Sequence, residues 1–268
     1  MKRANRKLRG ARGFSLIEIL VVVAILSIVM AVVFTQTNLV QKRNRTEESK
    51  IDLTQESREF LSLIARDLHN QGYPSKKMFG TTMVSTPPEN DPKVAVGLVR
   101  IRYDEIWFEG DVDGDGQVDV IDYRLQADPN TGNCPCRISR SQALKVAGTP
   151  MSQVNNNYTM ELQDVVNSGG ANGGAANVAA WTITGSSVPG NNDALYAAYK
   201  TANVFTFYDA SGNEVAPPLD VSTTAGKNAI ATIRTIRMNV NVLARQVDMQ
   251  TGMRPVMSFS DAVRVSSF

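Results

Sequence analysis

The stretch Gly13-Phe14-Ser15-Leu16-Ile17-Glu18-Ile19-Leu20 opens the apolar segment that determines the fold of this 268-residue chain. From Phe14 to Phe34, 18 of the 21 residues are apolar, and only Ser15, Glu18 and Ser27 interrupt them. Because a helix rises about 1.5 Å per residue, such a segment spans roughly 30 Å, the thickness of the hydrocarbon core of a bilayer. The sequence therefore predicts a membrane-crossing helix.

The charges in front of this segment predict its orientation. The first twelve residues carry six cations and no acid: Lys2, Arg3, Arg6, Lys7, Arg9 and Arg12. A basic flank of this kind stays on the cytoplasmic side, so the rest of the chain is expected to be exported. A secretory signal peptide has a shorter apolar core followed by a small-residue cleavage site, whereas this segment is longer and Ala-Val-Val-Phe-Thr-Gln at its end is a weak site.

A plain membrane anchor explains the length of the segment but not Glu18. A carboxylate within lipid costs on the order of 2–3 kcal/mol, so an acid at such a position is a functional candidate. The alternative is that Glu18 lies near the lipid headgroups, where the cost is small.

The residues from Gly13 to Leu20, with the short basic leader, resemble the class III leader of type IV prepilins and type II secretion pseudopilins. The resemblance implies that residues 1–13 are a leader peptide, cut between Gly13 and Phe14 by a prepilin peptidase that also N-methylates Phe14. Glu18 is then the fifth residue of the mature chain. Its charge can be neutralised in a filament by the α-amino group of Phe14 on a neighbouring subunit, which also fixes axial register.

Composition excludes several other classes of protein. The chain is 43% hydrophobic and 20% charged, which argues against a disordered chain. Its net charge of +2 depends on the leader, since the remaining 22 cations face 26 acids. A general nucleic-acid-binding surface is therefore not expected. With one histidine, His69, and no nucleotide-binding or hydrolase motif, the sequence does not predict an enzyme.

Helical spacing continues beyond the apolar segment. Apolar residues recur three and four positions apart up to Leu68, and no helix breaker precedes Gly72-Tyr73-Pro74. We predict one helix from about Ser15 to His69, with a transmembrane or filament-core part (14–36) and an amphipathic part (37–73) that packs on a globular domain.

The region 74–268 is predicted to be a β-rich periplasmic or extracellular domain. Strand-like patterns occur at 94–103, 106–108, 118–125, 204–208, 230–243 and 256–265. The Gly/Asn-rich stretch 155–193 is predicted to be a long surface loop. A helix followed by an antiparallel sheet gives an α+β, pilin-like fold.

Within the prepilin-like families, the chain resembles the PilW-like minor pilins. Three features support this resemblance. The segment Asp67-Leu68-His69-Asn70-Gln71-Gly72-Tyr73 is close to that family's Asp-Leu-Arg-x-Ala-Gly-Tyr pattern. The other two are a DGDG-bearing hairpin and a closing pair of Ile/Val-rich strands. His69 and Gln71 depart from the pattern. The J-type pseudopilins of type II secretion share the same plan.

The resemblance implies a minor pilin that acts in pilus assembly at the tip, with roles in twitching motility and adhesion. Its partners would be the prepilin peptidase, other minor pilins, the major pilin and the inner-membrane assembly platform. The chain would span the inner membrane once and then move to the pilus surface. A J-type secretion pseudopilin and a tip adhesin are the alternatives.

An aspartate-rich loop at 111–122 has the spacing of a calcium loop. Candidate ligands occupy positions 1, 3, 5, 7, 9 and 12: Asp111, Asp113, Asp115, Gln117 through its backbone carbonyl, Asp119 and Asp122. Gly116 permits the tight bend, and Asp122 replaces the usual Glu. The alternative is a metal-free hairpin that uses Asp-Gly turn chemistry.

The two cysteines, Cys134 and Cys136, are separated only by Pro135. In an oxidising compartment they could form a local disulfide, remain free thiols or pair between molecules.

Substituting the leader glycine tests the cleavage site. We expect Gly13→Val to block processing, because a bulky side chain keeps the backbone from entering the peptidase closely. A gel should show the unshifted precursor, whereas mass spectrometry of the wild-type chain should find methyl-phenylalanine at Phe14. Full processing of the variant, or a mature chain that begins elsewhere, would contradict the assignment.

Overall fold

A long helix, α1, runs from Leu16 to His69 in the computed structural model, as the sequence predicts. The structure describes residues 15–127, 135–154, 157–167, 199, 201–248 and 252–265. Gly13, Phe14, Cys134 and the part of the predicted loop over 168–193 lie outside the described residues. The chain divides into two compact units, Met1–Glu47 and Glu48–Phe268, and α1 contributes residues to both.

In the first unit, α1 presents a bare apolar surface. Large side chains are exposed all around it, from Leu16, which is 77% exposed, to Phe34. An 18-residue window of this helix has a mean hydropathy of 3.1, and none of that window is buried. The helix is long and apolar enough to cross a membrane, and such a surface is stable only in lipid or against other apolar surfaces.

The second unit is built on an antiparallel sheet of nine described strands. In chain order they are β1 (Leu98–Ile101), β2 (Glu105–Gly110), β3 (Asp119–Gln126), β4 (Cys136–Leu144), β5 (Tyr158–Val165), β6 (Phe205–Asp209), β7 (Leu219–Asp220), β8 (Ile233–Leu243) and β9 (Val256–Arg264). The spatial order is β6-β8-β5-β4-β3-β2-β1-β7, with β9 paired to β8. Because β9 pairs along β8 from Thr235 to Leu243, β6 and β5 share the other edge of β8. The α+β, pilin-like fold is confirmed.

The C-terminal half of α1 packs on one face of this sheet. Its apolar residues Leu53, Phe60, Leu61, Ile64 and Leu68 are buried in one core with strand residues such as Phe108, Ile121 and Tyr123. The Phe60 ring meets the Tyr123 ring edge-on, with centroids 6.2 Å apart. The amphipathic spacing thus places the apolar stripe of α1 on the sheet.

The end of α1 is fixed to the sheet by a buried carboxylate. Asp67 is 0% exposed, and its Oδ2 accepts hydrogen bonds from Tyr123 Oη and Arg140 Nε, each at 2.8 Å. Tyr123 lies on β3 and Arg140 on β4, and the two residues pair across these strands. One helix residue therefore bonds to two neighbouring strands.

The opposite face of the sheet carries charged side chains at a second buried site. Lys145 Nζ donates to Glu109 Oε2 at 2.7 Å and to the carbonyl oxygens of Val94 at 2.6 Å and Glu89 at 2.9 Å. Both side chains of the ion pair are fully buried. Burial raises the pKa of Glu109, and the Lys145 ammonium opposes that rise. This site fastens the segment before β1 to the sheet.

The observed strands depart from the predicted ones at β4, β5, β7 and the start of β8. β5 lies inside the stretch 155–193, which was predicted to be loop, and β4 was not predicted at all. Both strands are rich in polar residues, and their position is set by pairing with β3 and β8 rather than by local hydrophobicity. Ile230 and Ala231 belong to a short helix, α2 (Thr224–Ala231), which Thr223 caps by accepting a bond from Gly226 N–H, so β8 begins at Ile233.

Removing the buried carboxylate tests how α1 is attached. We expect Asp67→Ala to lower the free energy of unfolding by about 3 kcal/mol, because it leaves the Arg140 guanidinium without its carboxylate partner. Urea unfolding of the detergent-solubilised chain measures this change. Asp52→Ala, on the exposed side of the same helix, is the control and should change stability little. Equal effects of the two substitutions would contradict the assignment.

Candidate functional site

Glu18 lies in the first turn of α1 on an exposed face. The helix starts with bonds from the Glu18 and Ile19 amides to the Ser15 carbonyl oxygen, at 3.0 and 3.2 Å. The Glu18 Oε2 atom accepts a bond from the Ser15 backbone N–H at 3.4 Å. An acid is favoured at this end of a helix by the helix dipole. The Glu18 carboxylate is exposed, so a neighbouring molecule could reach it. Gly13 and Phe14, the predicted cleavage site and methylated residue, lie outside the described residues.

The aspartate loop forms the tip of the β2–β3 hairpin. The last pair before the loop is Gly110 with Asp119. Beyond it, Asp111, Asp113 and Asp115 each offer a carboxylate oxygen, and these oxygens lie within 4.8 Å of one another. The predicted positions 1, 3 and 5 therefore converge.

Backbone amides orient the three carboxylates. Asp111 accepts bonds from Gly114 N–H at 2.7 Å and from Gly116 N–H at 3.0 Å. Asp113 accepts from Asp115 N–H at 3.2 Å, and Asp115 accepts from Gln117 N–H and from the Gln117 side chain, both at 2.8 Å. Gly116 has a φ of +82°, which a residue with a side chain rarely adopts.

Asp119, at position 9, is buried beneath the loop. It is 3% exposed, and its Oδ2 has no hydrogen-bond partner among the described residues. Burial raises the pKa of Asp119, a hydrogen bond from Gln142 lowers it, and the charges of Asp113 and Asp115 raise it further. The Asp119 carboxylate is therefore close enough to Asp113 and Asp115 for their charges to act on it, but it is not one of the three carboxylates whose oxygens converge.

Asp122, the predicted position-12 ligand, lies apart from the three carboxylates that converge in the structure. It pairs with Trp107, three residues along the hairpin from the Gly110–Asp119 pair, which places it roughly 10 Å from the loop. Its Oδ2 instead accepts bonds from Arg124 Nη2 and Tyr158 Oη, each at 2.6 Å. Position 12 reaches the ion in an EF-hand because a helix follows the loop, and here a strand follows it.

Residues that the sequence did not single out connect the loop to the end of α1. Arg140, bonded to Asp67, also donates from Nη1 to Gln142 Oε1 at 2.9 Å, and Gln142 Nε2 lies 3.5 Å from Asp113 Oδ2. The Asp67-Leu68-His69 pattern could have indicated Asp67. Arg140 and Gln142 lie on the unpredicted strand β4, and no local pattern marks them.

Main-chain bonds make a second connection. The Asp111 amide donates to the Tyr73 carbonyl oxygen and the Gly72 amide to the Glu109 carbonyl oxygen, each at 2.8 Å. A Cβ atom at Gly110 would collide with the Asn70 carbonyl oxygen, so only glycine allows this close approach. The segment that follows α1 is thus paired with the strand that enters the loop.

Cys136, at the start of β4, is disulfide-bonded and buried. The sequence contains one other cysteine, Cys134, which lies outside the described residues.

Asp122 makes stability depend on pH. Burial, together with the neighbouring Glu105 carboxylate, raises the pKa of Asp122 to about 6, and Arg124 opposes the rise. Because the folded chain holds this proton more tightly than the unfolded chain, its contribution to stability falls as pH rises from about 4 to 6. We expect Asp122→Asn to gain on the order of 2 kcal/mol relative to wild type between pH 4 and pH 7.

Urea unfolding at both pH values, in a chelating buffer, measures this difference. Asp52→Asn serves as the control, because Asp52 is exposed on α1. If Asp122→Asn changes stability by the same amount at pH 4 and pH 7, the raised pKa is wrong.

Comparison with known families bears on the N-terminal segment. Residues 8–34 match the family described as the prokaryotic N-terminal methylation motif, and this range includes Gly13, Phe14 and Glu18. No curated protein and no solved structure matches the chain. This motif, together with the long apolar helix that begins within it, is consistent with a type IV prepilin-like protein.

Proposed function

We propose that the chain is a minor pilin of a type IV pilus and acts in the tip complex that initiates assembly. The observation that carries this proposal is Glu18, an exposed carboxylate at the start of an apolar helix and inside the methylation motif. The methylation motif supports a pilin-like or pseudopilin precursor. The role in a tip complex is our proposal in addition to that.

Processing comes first in the proposed function. A prepilin peptidase removes residues 1–13 and methylates the new amino group of Phe14. The mature chain stays in the inner membrane through the first half of α1, with residues 74–268 on the periplasmic side. That half has no buried surface of its own, so it needs lipid before assembly and the helices of other subunits afterwards.

Glu18 then guides docking. Within an apolar bundle, a lone carboxylate is costly, and the α-amino group of Phe14 on an adjacent subunit removes that cost by pairing with it. A subunit that docks at the wrong axial position leaves both charges unpaired. The proposed ion pair between Glu18 and the Phe14 amino group therefore fixes the axial register of the subunits rather than adding net stability to the filament.

The size of the second unit supports a place at the tip. A nine-stranded sheet with its attached segments makes a bulky head, whereas a subunit in the shaft must stack closely against identical copies. We infer that the head docks beside other minor pilins and caps the filament, which the major pilin and the inner-membrane platform extend. The role is structural rather than enzymatic.

Replacing Glu18 separates assembly from processing. We expect Glu18→Ala to be cleaved and methylated normally but to lower the number of pili at least tenfold, and to be absent from sheared pili. Quantitative blotting of membrane and sheared fractions, with pilus counts by electron microscopy, measures this. Ser27→Ala is the matched control, because Ser27 is also polar and on α1 but bonds its own helix at Val23 O.

The alternatives give different results. If Glu18→Ala leaves pili unchanged and stops protein secretion, the chain is a J-type pseudopilin. A tip adhesin predicts that deleting residues 170–193, which leaves β5 intact, spares pili but abolishes attachment. Normal incorporation of Glu18→Ala into pili would contradict the register role.

A further inference from the structure

We propose that the loop from Asp111 to Asp119 binds one Ca²⁺ ion, and that the ion fastens the end of α1 to the β2–β3 hairpin. This inference concerns the head of the molecule and does not depend on the pilus assignment. It rests on a carboxylate cluster, on a buried carboxylate oxygen that lacks a partner, and on two connections from the loop to the helix end.

The cluster offers the hard oxygen ligands that Ca²⁺ prefers. Asp111, Asp113 and Asp115 bring oxygens within 4.8 Å of one another, and no cationic group is among the hydrogen-bond donors that the structure gives these three carboxylates. Three like charges at this spacing repel one another. A divalent cation would convert that repulsion into attraction.

Asp119 is the independent observation that points to a ligand. It lies at the hairpin pair that closes the loop, is 3% exposed, and keeps Oδ2 without a partner among the described residues. A buried carboxylate oxygen without a hydrogen bond is costly, and a bound ion or its water would satisfy it.

The ligand set favours calcium over magnesium and predicts modest affinity. Oxygens from the three converging aspartates, with Asp119, the Gln117 carbonyl and water available to complete the shell, suit the six to eight ligands of Ca²⁺ better than the strict octahedron of Mg²⁺. Because Asp122 lies away from the loop, no bidentate ligand closes the site. We therefore expect a Kd of about 10⁻⁴ to 10⁻³ M, in the range of extracellular calcium modules.

The ion would act on the end of α1 through two connections. The Asp111 amide is bonded to Tyr73 O, just beyond the helix. The second connection runs through side chains, from Asp113 to Gln142, Arg140 and then Asp67 in the last turn of α1. Fixing Asp111 and Asp113 on one ion would hold both connections in place.

Equilibrium dialysis of the full detergent-solubilised chain against ⁴⁵Ca²⁺ at 1 mM tests the site directly. We expect between half and one ion per chain, undiminished by an equal concentration of Mg²⁺. Asp113→Asn and Asp115→Asn, both on exposed loop residues, should each reduce bound calcium at least fivefold without affecting the fold. Circular dichroism checks that fold.

Two controls make the result specific. Asp122→Asn should keep wild-type binding, which separates the carboxylate cluster in the structure from the ligand set that loop spacing alone predicts. Asp209→Asn, at the end of β6, where the carboxylate likewise accepts backbone amide bonds, should also keep it. Absence of bound calcium in the wild type, or equal loss in Asp122→Asn, would overturn the proposal.

Hydrogen exchange tests the link to the helix. Calcium should slow exchange of the Gly72 and Asp111 amides at least threefold in the wild type and leave it unchanged in Asp113→Asn. Slowing confined to residues 112–118 would show that the ion orders only the loop, and would overturn the fastening role.

Discussion

The buried carboxylate of Asp67 is the contact on which the head of this molecule depends. A long helix can be laid on a sheet by apolar packing alone, but apolar packing tolerates sliding and rotation. Asp67 removes that freedom, because Tyr123 and Arg140 donate to one of its oxygens from two neighbouring strands. The burial of Phe60, Ile64 and Leu68 supplies the driving force, and the carboxylate selects one arrangement.

The arrangement chosen at Asp67 determines the geometry further along the chain. α1 ends two residues later, and the segment from Gln71 to Tyr73 pairs with Gly110 and Asp111 as though it were a short extra strand. The hairpin tip therefore has a defined position relative to the helix end. A loop of acids that would be a loosely held surface feature in an isolated hairpin becomes part of the framework of the head.

Local patterns in the sequence predict the helix well and the sheet less well. α1 was predictable because apolar and amphipathic periodicity are properties of neighbouring residues, and its observed start at Leu16 and end at His69 agree with that prediction. β4 and β5 were missed because Arg137, Arg140, Gln142 and Glu161 give them little hydrophobic alternation, and their place depends on partners far away in the chain. The same distinction applies to the aspartate loop. Asp111, Asp113 and Asp115 come together through a local turn, which the sequence pattern predicts. Gln142 is brought near them by the pairing of β4 with β3, which no local pattern predicts.

Asp122 shows how a motif can mislead when its setting changes. Loop spacing assigned it to the cluster, but that spacing presumes a helix after the loop, and the strand-like residues Val120-Ile121-Asp122 already indicated otherwise. On β3 it points away from Asp119, since side chains three residues apart on a strand face opposite sides. There it belongs with Arg124 and Tyr158 in a separate polar cluster.

The buried Lys145 ammonium has a consequence for the order in which the chain becomes structured during synthesis. Its partner Glu109 precedes it by 36 residues, and its carbonyl acceptors at Val94 and Glu89 by 51 and 56 residues. A ribosome releases all three well before Lys145. The acid at Glu109 therefore has no countercharge from this lysine while the first three strands emerge. The buried ion pair that holds the segment before β1 on the sheet can form only after the end of β4 has been made.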